Sequence, residues 1–98
     1  MLSSIRKQYM TVQHYLHFEE AILVLACVLV CCEAGKYSAV ANAVRGIGGV
    51  KLAFPVTGRW DVVVEIEAAD LKGLSDIALK INGLPGVKCT ETLVQVGI

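Results

Sequence analysis

Three kinds of hydrophobic pattern follow one another along the chain. From Ala21 to Cys32 nearly every position is apolar, with Val, Leu and Ile prominent, as expected of a strand buried on both faces. After Gly35 the apolar positions space out. Tyr37, Val40, Ala41, Val44 and Ile47 recur at steps of three and four, predicting a helix with one face on a sheet, stopped by Gly46, Gly48 and Gly49. Val50 to Thr57 reads as a second strand, and Pro55 within it removes a ladder donor, which confines that strand to a sheet edge. Thr57-Gly58-Arg59-Trp60 then turns the chain into a third strand. There Val62, Val64 and Ile66 alternate with Val63, Glu65 and Glu67, so the first set faces the helices and the second faces away. Asp70 is placed to cap a second helix whose stripe is Leu71, Leu74, Ile77, Ala78, Ile81 and Leu84, ended by Asn82-Gly83 and Pro85-Gly86. A last strand runs from Val87 to about Val96, with Thr90, Thr92, Val94 and Val96 on one face and Glu91, Leu93 and Gln95 on the other.

The two halves of this pattern repeat. Gly46-Ile47-Gly48-Gly49-Val50-Lys51 returns as Gly83-Leu84-Pro85-Gly86-Val87-Lys88, each copy joining the end of a helix to the start of a strand. Stacked solenoid repeats need about three copies to bury a continuous face, and only two are present. A doubled strand-helix-strand unit is the better solution. The expected fold is therefore α+β, a ferredoxin-like βαββαβ sandwich with an antiparallel four-stranded sheet in the order 4-1-3-2 and both helices on one face. Such a sheet leaves its second face in water, where polar residues are expected. In the first strand both parities are apolar. Pairing of two sheets would cover that face, so a homodimer is the smallest assembly expected.

Composition sharpens this expectation. The 98 residues make one domain, and 55% hydrophobic content with a mean hydropathy of +0.61 exceeds what one small core can hide. Residues 1–20 have no clean period and form an N-terminal leader, expected to be flexible, ahead of a folded domain over 21–98. Nine basic and nine acidic residues cancel, and the basic ones are scattered; no phosphate-tracking patch argues for direct nucleic-acid binding. The apolar run 21–32 would span about 18 Å as a helix, against about 30 Å of bilayer hydrocarbon, so no membrane partner is expected. Cys27, Cys31, Cys32 and Cys89 sit in apolar strand segments, which fits buried thiols in the reducing cytoplasm.

No enzyme constellation stands out. Both histidines, His14 and His17, lie in the leader, and Glu65 with Glu67 reads as a solvated rim. The spacing of His14, His17 and Glu20 suits one helix face but lacks a fourth ligand. Adjacent Cys31 and Cys32 point to opposite strand faces and do not hold one ion together. No metal and no cofactor are expected. The remaining candidate chemistry is the turn Thr57-Gly58-Arg59-Trp60-Asp61 and the strand Val87-Lys88-Cys89-Thr90-Glu91-Thr92.

These two segments, with Gly35-Lys36, Gly49-Val50 and Pro85-Gly86, resemble the RAM domain of the Lrp/AsnC regulators of amino-acid metabolism, over about residues 21–98. The resemblance implies the ferredoxin-like fold, dimers paired through their sheets, rings of dimers, and an amino-acid effector bound between neighbours. It makes Gly58, Arg59, Trp60, Asp61, Thr90 and Thr92 the expected ligand-binding residues. An Asp61 carboxylate accepts from an α-ammonium and threonine hydroxyls donate to a carboxylate; a merely structural Asp61 holding the hairpin is the alternative. The usual regulator places a helix-turn-helix domain first, for which 20 residues are too few, so the chain is expected to act as a stand-alone sensing and oligomerisation module, with a full-length regulator as a further partner. Cys89 stands where the family often has a basic residue. A small dimeric monooxygenase-type enzyme and a purely structural assembly subunit are the competing readings.

Overall fold

A computed structural model describes residues 23–96. The expected leader 1–20, with His14, His17 and Glu20, lies outside the described residues. Six elements follow in order: β1 (Val24–Cys32), α1 (Tyr37–Arg45), β2 (Val50–Pro55), β3 (Val62–Ala68), α2 (Leu71–Asn82) and β4 (Val87–Val94). The sheet order is β2-β3-β1-β4 with every neighbouring pair antiparallel, the expected ferredoxin-like arrangement. Pro55 closes β2, an edge strand, where its missing N–H costs the least.

The core is a single layer of branched side chains between the sheet and the two helices. From β1 it takes Ala26, Val28, Val30 and Cys32; from β3, Val62, Val64 and Ile66; from the helices, Val40, Ala41, Val44, Leu74, Ile77 and Ile81. No polar side chain is buried among the described residues. Three residues of the predicted helical stripes are not core: Tyr37 and Leu71, each at the first position of its helix, are exposed, and Ala78 is half-buried along a depression beside β4. Periodicity alone overcounts the buried face. Asp70 caps α2 as expected, its Oδ1 accepting from the Gly73 amide at 2.8 Å. Arg45 ends α1 by donating Nε and Nη2 to the Ala53 carbonyl of β2, at 3.2 and 2.9 Å, which ties helix to edge strand.

The internal repeat is structural. Gly49 and Gly86 hold φ of +97° and +92°, in each case one residue before a strand, after matching turns closed by Val50 N–H to the Ile47 carbonyl and Val87 N–H to the Leu84 carbonyl. A Cβ on Gly49 would strike the Ile77 side chain and come within 3.1 Å of the Glu67 carbonyl, so this position needs glycine for space as well as for φ.

One expectation about the cysteines is corrected. Only Cys32 is buried; Cys27 and Cys31 are half-buried and Cys89 is exposed, all four as free thiols. β4 is an edge strand and Cys89 sits on its uncovered face, so an apolar neighbourhood in sequence does not bury it. No helix among the described residues is long and apolar enough to cross a membrane, and no cluster of three or more metal-ligating side chains occurs among them.

Candidate functional site

The hairpin turn between β2 and β3 is built around Asp61. Its amide donates to the Val30 carbonyl and its carbonyl accepts from the Val56 amide, both at 2.8 Å, while carboxylate Oδ2 accepts from the Cys32 amide at 2.7 Å. Asp61 thus closes the hairpin and clasps it to the end of β1. Gly58 at the tip holds φ of +143°, with open space where a Cβ would stand; its constraint is the backbone conformation, not crowding. Thr57, Gly58 and Arg59 are exposed, and Trp60 and Asp61 half-buried.

Thr90 and Thr92 lie elsewhere. In register they oppose Val30 and Val28, so they share the helix-covered face of the sheet. There they line a depression of about 510 Å³ between α2 and β4 together with Leu71, Ser75, Leu79, Asn82 and Val94. The Thr90 hydroxyl donates to Asn82 Oδ1 at 3.2 Å. One chain therefore does not bring the six expected ligand residues into one cavity: β1 separates β4 from β3, and the turn projects past the strand ends.

The open face of the sheet is the third feature. Reading across the register, Leu52, Glu65, Cys27 and Leu93 form one row, and Phe54, Val63, Leu29 and Glu91 the next. Leu52, Phe54 and Leu93 are 49%, 39% and 48% exposed, on a largely apolar face that no helix among the described residues covers. A shallow depression of about 580 Å³ crosses one end of this face, lined by Leu25, Cys27, Lys51, Glu65, Glu67 and Leu93 among others. Lys51 Nζ and Glu67 Oε1 approach to 3.9 Å there, a contact that the sequence pattern did not suggest.

The thiols respond to these surroundings. Burial pushes the Cys27 thiol above its ordinary value, with the negative charge of Glu65 acting in the same direction. Cys32 is raised first by burial and then by the charges of Asp61 and Cys31. Cys31 is raised by burial, then by the Cys89 thiol beside it and by Asp61, with Lys88 opposing. Cys31 and Cys89 are direct cross-strand partners on the open face. Neither their shared outward face nor their register was readable from a first strand that is apolar on both parities.

Comparison with known proteins places this geometry. The family model described as the Lrp/AsnC ligand binding domain matches residues 25–96. Over 70 residues the chain is 34% identical to the HTH-type transcriptional regulator FL11 of Pyrococcus horikoshii, covering 71% of this chain and 46% of that protein. The chain thus spans under half the length of that relative. A 68-residue stretch is 35% identical to homocitrate synthase of Sulfurisphaera tokodaii, covering 68% of this chain but 15% of the enzyme. Among solved structures, TTHA0845 from Thermus thermophilus superposes with a TM-score of 0.72 at 29% identity, covering 76% of this chain and 95% of that one. The transcriptional regulator NMB0573 of Neisseria meningitidis, solved in complex with L-Met, shares the fold at a TM-score of 0.67 and 20% identity, over 97% of this chain and 66% of that one.

Proposed function

The chain belongs to the Lrp/AsnC ligand-binding domain family, and from that premise we propose that it is a non-enzymatic module that senses an amino acid and assembles through the open face of its sheet. The observation that carries this reading is the apolar open face. Burial of apolar surface releases roughly 25 cal/mol per Å², and a face carrying Leu25, Leu29, Leu52, Phe54, Val63 and Leu93, uncovered by the described residues, gains that when a second protein surface packs on it. A second copy presents the same face and makes an isologous contact. A regulator carrying the same domain is a further partner for that face.

The ligand class follows from the groups available. At the hairpin, Asp61 offers a carboxylate to an α-ammonium; at the groove, Thr90 and Thr92 offer hydroxyls to a carboxylate. Because these groups lie apart in one chain, a ligand that needs both is held at a seam between copies, where its binding is coupled to assembly. The L-Met bound by the Neisseria regulator supports an amino acid as that ligand. A monooxygenase-type enzyme would need a deep pocket between sheet and helices, and that space is filled by Val28, Val30, Val64, Ile66 and Ile81, each at most 1% exposed.

Light scattering and thermal-shift screening against the common amino acids test the reading together. The expected result is a dimer or larger assembly at micromolar concentration and stabilisation by at least one amino acid. Ligand at about 100 times its Kd adds roughly 2.7 kcal/mol. Asp61→Asn keeps a neutral acceptor for the Cys32 amide and loses the charge, so it should retain the fold while weakening binding on the order of tenfold or more. A stable monomer with no response to any amino acid would overturn the proposal.

A further inference from the structure

Cys31 and Cys89 face each other across β1 and β4 at the corner of the open face, and neither side chain belongs to the core. The Gln95 amide donates to the Leu25 carbonyl at 2.9 Å, which makes Leu25 and Gln95 a hydrogen-bonded pair. Alternation along the unbroken register from there makes Cys31 and Cys89 a hydrogen-bonded pair too. Such pairs hold their Cα atoms about 5.5 Å apart, inside the span of roughly 4.4–6.8 Å that a disulfide bridges. The Cβ atoms of opposed residues stand about 4.5–5.5 Å apart and must approach to about 3.8 Å. Two features give room for this: the register slips between Cys31 and Cys32, marking a bulge beside the pair, and β4 is an edge strand, with no neighbour on its far side among the described residues.

We propose that Cys31 and Cys89 are an oxidisable dithiol, which closes to a disulfide within one chain by exchange with a low-molecular-weight disulfide. The exposed Cys89 thiol, after losing its proton to solvent, attacks one sulfur of the disulfide RSSR and expels RS⁻, leaving Cys89 as a mixed disulfide. Cys31, deprotonated in turn, attacks the Cys89 sulfur and expels the second RS⁻. Two protein thiols are oxidised by two electrons, one RSSR is reduced, and two RSH are released once the leaving groups take up protons. A bond that closes under strain at an exposed corner is the readily reduced kind, so the step reverses when the free thiol is in excess. The bond forms beside the Cys32 amide that holds Asp61, which puts the oxidation state of β1 next to the hairpin turn.

The full chain, incubated with graded ratios of oxidised to reduced glutathione and then acid-quenched and alkylated, gives the test. The expected product has lost two hydrogens in mass, runs as a single chain on a non-reducing gel, fragments as a Cys31–Cys89 cross-link and returns to the dithiol with excess reduced glutathione. Cys31→Ser and Cys89→Ser should each abolish the product, whereas Cys27→Ser should leave it intact. Cross-linking between chains, glutathione retained on Cys89 without closure, or a bond to Cys27 would each overturn the proposal. Closure needs neither ligand nor assembly, so these outcomes are separate from those that test amino-acid sensing.

Discussion

The two faces of β1 are made of similar residues and meet different fates. Ala26, Val28, Val30 and Cys32 point to the helices and are buried; Leu25, Cys27, Leu29 and Cys31 point the other way and remain half-buried. Hydrophobicity does not separate the two sets, since the outward set carries the larger leucines. What separates them is cover. The two described helices reach the sheet from one side, and on the other side β3 and β4 place Glu65, Glu67 and Glu91 among the apolar residues. A core face excludes charge entirely, whereas an assembly face tolerates it at positions that can stay wet or find a partner. In the proposed assembly the same strand serves one interface within the chain and a second between chains.

The largest effect should come from charge on the covered face. Val28 is fully buried, and Val28→Asp would bury a carboxylate with no partner, at a cost comparable to the whole stability of a small domain, on the order of 5 kcal/mol or more. Circular dichroism should show no cooperative unfolding transition. A variant that melts cooperatively near the wild-type temperature would mean that the two faces are not distinguished in this way.

The next effect is on the open face. Leu29 stands beside Glu91 and Val63, so a lysine there finds a carboxylate neighbour within the chain and the fold should survive. Across a sheet pair its ammonium would be buried against an apolar surface. Leu29→Lys should therefore keep the wild-type circular dichroism spectrum and weaken self-association by about 100-fold, close to 2.7 kcal/mol. Sedimentation or light scattering over a concentration series reads this directly; unchanged association would move the interface off this face.

Truncation sharpens the contrast. Val30→Ala should cost about 1–2.5 kcal/mol of stability at every protein concentration, because it removes methyl groups from a packed core. Leu29→Ala should cost little in the separated chain and more as concentration rises, because its missing contacts belong to the partner. Denaturant midpoints measured at two concentrations distinguish the cases, and identical concentration dependence for both variants would contradict the assignment of faces.

The smallest effect is chemical and leaves the fold untouched. Cys32 on the covered face should resist iodoacetamide at any protein concentration, while Cys27 should be alkylated in dilute protein and protected in concentrated protein. The raised pKa of Cys27, caused by burial and then by Glu65, leaves less thiolate than an ordinary cysteine has at a given pH. Its labelling should therefore accelerate as pH rises, while pH alone should not produce the concentration dependence.

Periodicity in the sequence was sufficient for the elements, the sheet order and the capping of α2 by Asp70, because each rests on contacts between residues near in the chain or on a pattern with one repeat. The glycine turns before Val50 and Val87 were legible for the same reason: positive φ at Gly49 and Gly86 is a local demand. The resemblance also singled out Gly58, Arg59, Trp60, Asp61, Thr90 and Thr92 as the expected ligand-binding residues. The tertiary structure decided what those residues can do. It gave one Asp61 oxygen to the Cys32 amide, set the threonines on the helix-covered face beside Asn82, and left Cys89 exposed on an edge strand. It also put Cys31 opposite Cys89. Each depends on strand register and on which face the helices cover, and these are fixed by packing between segments distant in sequence, where a shift of one residue turns every side chain to the other face.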